Sequence, residues 1–94
     1  MLEGKKVIVT GGGSGIGRAT CVLAAREGAD VAVADINAET GVETVNTVKT
    51  EGRDAIFIEL DTSKKADALR MADETLKAFG TIDGLVCCAI KLVP

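Results

Sequence analysis

Residues 10–17 read Thr-Gly-Gly-Gly-Ser-Gly-Ile-Gly, and an aspartate at position 35 closes a later run of small and β-branched residues. Glycine allows backbone angles barred to residues with a β-carbon, and it lets an anion approach the main chain closely. A helix that starts just beyond such a turn adds unpaired N–H groups and the positive end of its dipole. The chemistry suited to this loop is therefore phosphate or pyrophosphate binding. Two common versions of it are excluded. No three glycines lie at i, i+2 and i+5, so the strict GxGxxG fingerprint is absent. Arg18 and Ala19 follow Gly17, where a P-loop needs Lys and then Ser or Thr.

Asp35 follows Gly11 by 24 residues, close to the ~20 expected of a carboxylate that binds ribose hydroxyls. It can accept from both hydroxyls of an adenosine ribose, and it repels a 2′-phosphate. The cofactor expected is NAD rather than NADP. Ile36 and Asn37 bring no positive charge to reverse that preference. Arg18 carries such a charge, but its place on the first turn of a helix favours solvent or another subunit.

These groups need elements to hold them. Lys6 to Thr10, KVIVT, reads as a strand buried on both faces, bounded by Gly4 and the glycine cluster. Over 15–27, Ile16, Ala19, Thr20, Leu23 and Ala24 recur on one helical face, and Gly28 supplies a stop. VAVA at 31–34 is a second strand. Asn37 can cap a helix from about Ala38 to Glu51, ended by Gly52. AIFIEL at 55–60 makes a third strand. Asp61, Thr62 and Ser63 are candidate caps for a helix through Ala68, Leu69, Ala72, Leu76 and Phe79, stopped by Gly80. A fourth strand lies within 82–90, with LVCCAI as its apolar part. The order βαβαβαβ predicts an α/β fold, a Rossmann-type doubly wound parallel sheet with strand order 3-2-1-4. In that order LVCCAI would stand at an edge while apolar on both faces. This predicts an incomplete half whose cover came from further elements, or from a second copy in a homo-oligomer.

Composition removes several mechanisms. The 94 residues include no His, Tyr or Trp, with 11 basic and 14 acidic residues and a net charge of −3. There is no Ser-His-Asp triad, no imidazole metal site and no phenol to move a proton. Phosphate tracking along nucleic acid needs a basic face, and no basic run exceeds two residues. The longest apolar stretch, 85–90, is far short of the ~20 residues of a membrane span. Three Cys without CxxC spacing fit reduced thiols in a cytoplasmic protein. Cys87 and Cys88 read as buried, inert thiols, and Cys21 as a partly buried packing residue. Asp73 and Glu74 with Lys77 read as a solvated helical face, as do Glu39, Glu43 and Lys49. No metal-ligand cluster is spaced for binding.

With these residues in view, TGGGSGIG at 10–17 resembles the TGxxxGIG signature of the short-chain dehydrogenase/reductase family. VAVAD ending at Asp35, LDTS at 60–63 and AFGTIDGLV at 78–86 follow that family in order and spacing. The resemblance covers essentially the whole chain and matches the first, cofactor-binding half of a typical member. It implies residues 1–94 as one NAD-binding Rossmann-type domain and an oxidoreductase acting on an alcohol or carbonyl. It implies that Gly11, Ser14, Gly15, Ile16 and Gly17 hold the pyrophosphate. Asp35 and Ile36 would flank the ribose, Asp61 and Thr62 would meet the adenine, and Cys87 and Ala89 would lie beside the cofactor. The family's NNAG is replaced here by Cys87-Cys88-Ala89-Ile90. Its catalytic Ser and Tyr-x-x-x-Lys belong to a second half, so no catalytic residue is assigned. Substrate would then bind only with that half. The alternative expectation is a truncated, inactive nucleotide-binding or assembly module.

Overall fold

Short β-branched runs with no charge between their ends bury both faces best between helical layers, and four such runs pair here. β1 (Lys6–Thr10), β2 (Asp30–Asp35), β3 (Ala55–Glu59) and β4 (Gly84–Cys87) form one sheet in the order β3-β2-β1-β4. Every pairing is parallel. This computed structural model describes residues 1–61 and 64–88. Thr62 and Ser63, expected as helix caps, and Thr62 and Ala89, expected at the cofactor, lie outside the described residues.

Helices cover both faces, which makes the sheet doubly wound. α1 (Gly15–Arg26) and α2 (Ala38–Thr50) pack on one face over Val9, Val31 and Val33. α3 (Lys65–Phe79) packs on the other through Met71, over Ile8, Ala32, Ala34 and Ile58. Residues 31–34 of β2 are wholly inaccessible, as its central position requires. The register aligns Thr10 with Ala34 and with Cys87, and Asp35 with Glu59. All four strands therefore end along one edge, beside the turn that enters α1. Asn37 caps α2 by accepting from the Thr40 N–H at 3.2 Å. Gly80 ends α3 in the left-handed region, at φ 83°.

The inward faces of two helices differ from the sequence expectation. On α1 the buried residues are Gly17, Cys21, Ala24 and Ala25, while Ile16 and Leu23 are more than three-fifths exposed. Small side chains let α1 sit close to β1 and β2, and closeness rather than bulk defines this seam. On α3 the buried residues are Met71 and Thr75, and Leu69 and Leu76 stay exposed. The cap of α3 also shifts, since Lys64 holds that position with no side-chain bond. Asp61 does not cap; its carbonyl accepts from the Lys64 N–H at 3.0 Å. At the β4 edge Leu85 and Val86 are exposed.

The cysteines also trade places. Cys87 is exposed and Cys88 half-buried, whereas Cys21 is fully inaccessible in the core. Burial, with the nearby Cys88, pushes the Cys21 thiol up to about 12. The thiolate is the reactive form. A thiol reagent applied to the native chain should label Cys87 readily and leave Cys21 untouched until denaturant is added. Labelling of Cys21 in buffer at the rate of Cys87 would contradict its place in the core.

Candidate functional site

The loop between β1 and α1 is built on its glycines. Gly11 has φ +71°, a conformation that disfavours any side chain. A β-carbon on Gly17 would stand 1.9 Å from the Gly11 carbonyl oxygen, so α1 begins against the main chain of its own turn. Ser14 is the N-cap: its hydroxyl accepts from the Gly17 N–H at 3.2 Å and donates to the Gly11 carbonyl at 2.7 Å. The Gly11 N–H is taken by the Ala34 carbonyl at 2.8 Å.

The N–H groups of Gly15 and Ile16 remain, in the first turn of α1, where no intrahelical acceptor exists. Gly15 is exposed, and nothing lies within 4 Å of where its β-carbon would be. Of the five loop residues expected to hold an anion, Gly15 and Ile16 thus present donors. Gly11, Ser14 and Gly17 shape the turn that aims them. Open space over Gly15 lies beside these donors.

Asp35, half-buried at the end of β2, meets this loop directly. Its Oδ2 accepts from the Gly13 N–H at 2.8 Å, and its Oδ1 accepts from the Asn37 N–H at 2.9 Å. A carboxylate offers about four lone-pair sites. The two main-chain bonds therefore leave acceptor capacity for two ribose hydroxyls. Ile36 beside it is exposed.

Arg18, expected to face solvent or another subunit, reaches across to α2. Its Nε donates to Thr44 Oγ1 at 3.0 Å, and its terminal nitrogen reaches the Thr40 carbonyl and the Glu43 carboxylate. Glu43 is accordingly part of this link and not only a solvated face. The Asp73–Lys77 pair forms as expected at 3.0 Å, but Glu74 pairs with Arg70. Asp61 lies at the same strand edge, one residue past Leu60, whose N–H bonds the Asp35 carbonyl. Cys87 ends β4 opposite Thr10.

Thr44 contacts this loop as well, its hydroxyl donating to the Gly12 carbonyl at 2.9 Å. It is fully buried on α2, on the same face as Gly41, Val45 and Val48. A hydroxyl on an otherwise apolar helical stripe was the available signal, because a buried polar group must find a partner. An open groove of about 570 Å³ lies between α1 and β4, lined by Leu23, Leu85 and Val86 and, at the end of the sheet away from the loop, by Lys5, Asp83 and Gly84. Among the described residues no cluster of potential metal ligands occurs, and no helix is long and apolar enough to cross a membrane.

A family model for short chain dehydrogenases matches residues 5–90, nearly the whole chain. The chain belongs to the short-chain dehydrogenase family. It is similar to a 2,5-dichloro-2,5-cyclohexadiene-1,4-diol dehydrogenase of Sphingobium indicum, at 51% identity over 88% of this chain and 32% of that protein. In structure it resembles a hydroxysteroid dehydrogenase from Escherichia coli, with a TM-score of 0.88 at 34% identity, covering 92% of this chain and 37% of that one. It also resembles an NAD⁺-bound xylitol dehydrogenase, with a TM-score of 0.87 at 32% identity, covering 89% and 32%. This short-chain dehydrogenase chain spans about a third of the length of those relatives. Its family is one of oxidoreductases that share the Rossmann-type sheet described above.

Proposed function

We propose that this chain is the NAD(H)-binding part of a short-chain dehydrogenase acting on an alcohol or carbonyl substrate. The observation that carries the reading is the meeting of the loop with Asp35. Free N–H donors of Gly15 and Ile16 stand at the start of α1, and a carboxylate with spare acceptor capacity stands at the end of β2. The donors suit the pyrophosphate, and Asp35 with Ile36 suits the adenosine ribose. Asp61 and Thr62 would serve the adenine side, while Cys87 and Ala89 would line the approach to the nicotinamide.

NAD is preferred over NADP for two reasons. Asp35 would face a 2′-phosphate with like charge. The nearby cation, Arg18, is committed to α2 and offers no compensation. The cofactor would supply the hydride chemistry. The chain's own residues bind and orient it, and with no Tyr present none is assigned proton transfer.

Calorimetry on the chain should show NAD binding, with NADP weaker. Asp35→Ala should weaken NAD by about tenfold, the scale of losing one charged hydrogen bond. Because the repulsion is removed with the acceptor, the gap between NAD and NADP should narrow. Absence of NAD binding at millimolar cofactor would overturn the reading. An equal loss for both cofactors would remove the specificity argument alone.

A further inference from the structure

The bonds made by Thr44 and Asp35 converge on one peptide unit. The Gly12 carbonyl accepts from Thr44 Oγ1 at 2.9 Å, and the Gly13 N–H donates to Asp35 Oδ2 at 2.8 Å. These are the two polar groups of the single peptide that joins Gly12 to Gly13. They lie in its plane and point in opposite directions, so the peptide is gripped by α2 at its carbonyl and by Asp35 of β2 at its N–H. We propose that Thr44 and Asp35 are positioning residues that lock the Gly12–Gly13 peptide, and thereby preset the donors of the loop for the dinucleotide.

A glycine–glycine peptide needs such a lock. With no β-carbon on either flank, rotation of the plane meets little steric resistance. Its orientation fixes where the following turn leads, and so where the Gly15 and Ile16 N–H groups aim. A loop already held in shape loses less freedom when it orders around a ligand. Arg18 sets the sense of the bond: by donating to Thr44 Oγ1 at 3.0 Å it leaves the hydroxyl proton for an acceptor. The Gly12 carbonyl at 2.9 Å competes with Thr40 at 3.1 Å, and Thr40 already accepts from Arg18. Contact on the far side is close too, since a β-carbon on Gly13 would stand 2.5 Å from Thr40 Oγ1. The same Asp35 proposed for the ribose thus also braces the pyrophosphate loop, which ties the two halves of the nucleotide site together.

The inference rests on the nucleotide reading, and its test separates the two. Thr44→Val keeps the shape of the side chain and removes the hydroxyl; Thr44→Ser keeps the hydroxyl and removes a methyl group. NAD affinity is measured by calorimetry at a temperature where circular dichroism shows each variant folded. Thr44→Val should bind NAD about tenfold more weakly, and Thr44→Ser within about twofold of wild type. A residue that only packs would give the reverse order. Equal binding by Thr44→Val and wild type, or an equal loss in both variants, would overturn the lock. Amide exchange of the ¹⁵N-labelled chain provides a readout without cofactor. In wild type the Gly13 N–H should be protected while those of Gly15 and Ile16 exchange freely, and Thr44→Val should lose that protection. If Gly13 exchanges as fast as Gly15 in wild type, the lock fails even where a variant does not fold. If wild type does not bind NAD but the exchange pattern holds, the lock stands and the nucleotide reading falls.

Discussion

Gly17→Ala should cost the chain a substantial part of its stability and abolish nucleotide binding, while Gly15→Ala should leave the fold intact. Two effects oppose each other at Gly17, which lies in the first turn of α1. Alanine gains up to about 1 kcal/mol over glycine in helix propensity. Against this, its β-carbon would stand 1.9 Å from the Gly11 oxygen and 2.7 Å from the Gly11 carbonyl carbon. Those are main-chain atoms, so no rotamer change relieves the overlap. Overpacking of a well-packed site usually costs about 1–3 kcal/mol, and this overlap lies at the upper end. A net loss of about 2 kcal/mol is expected, against a total of ~5–15 kcal/mol for a domain. Relief requires the turn to move away from α1, and that same turn aims the phosphate donors. At Gly15 nothing lies within 4 Å of an added β-carbon. Gly15→Ala should hold or slightly raise the urea midpoint, yet place a methyl group where a phosphate would come. Urea titrations with calorimetry decide the matter. Equal stability of Gly17→Ala and wild type would contradict the close packing of α1 on the loop.

Much of this was legible from spacing. Strand order and the boundaries of β1, α2 and β3 follow from β-branched runs punctuated by Gly4, the glycine cluster, Asn37 and Gly52, because local patterns there agree with tertiary demands. The loop and Asp35 were legible for the same reason, since Gly12, Gly13 and Gly17 stand where a side chain has no room and Gly11 takes a positive φ. The seam of α1 was not legible. Hydropathy weights Ile16 and Leu23 heavily, whereas Gly17, Cys21, Ala24 and Ala25 form the contact because they are small. Cys87 is exposed because an apolar neighbourhood in sequence does not bury a residue on an edge strand. Arg18 and Thr44 fell between the two cases. Their partners come from elements 26 residues apart, and no local pattern encodes that meeting.

At the other end of β2, acidification should strip away stability that Asp30 supplies. Asp30 is 7% exposed and collects three donors. The Lys6 ammonium bonds it directly, the Arg53 guanidinium lies at 3.2 Å, and the Asp54 N–H at 3.0 Å. These contacts tie the start of β1 to β2 and to the turn before β3. Lys6 extends the link, since its backbone N–H donates to Asp83 ahead of β4 and its ammonium lies 5.7 Å from the Phe79 ring centre. Burial pushes the Asp30 carboxyl up, but the bonds from Lys6 and Asp54 and the charge of Arg53 outweigh it. The group is held below the ordinary carboxylate value. A depressed folded value means the stabilisation is complete above the unfolded value, about 3.9, and is lost as pH falls through the folded one. Asp30→Asn keeps the shape, removes the charge and leaves Lys6 and Arg53 facing a neutral group. At pH 7 it should cost about 2 kcal/mol, the scale of hydrogen bonds to a charged group. As pH drops below the unfolded value the gap between variant and wild type should begin to close, and it should vanish as pH falls through the folded value, because protonated Asp30 has lost the same charge. Urea midpoints of the pair between pH 7 and 3 provide the measurement. A gap that stayed constant across that range would show that packing, and not the charge of Asp30, holds the strands together at this end.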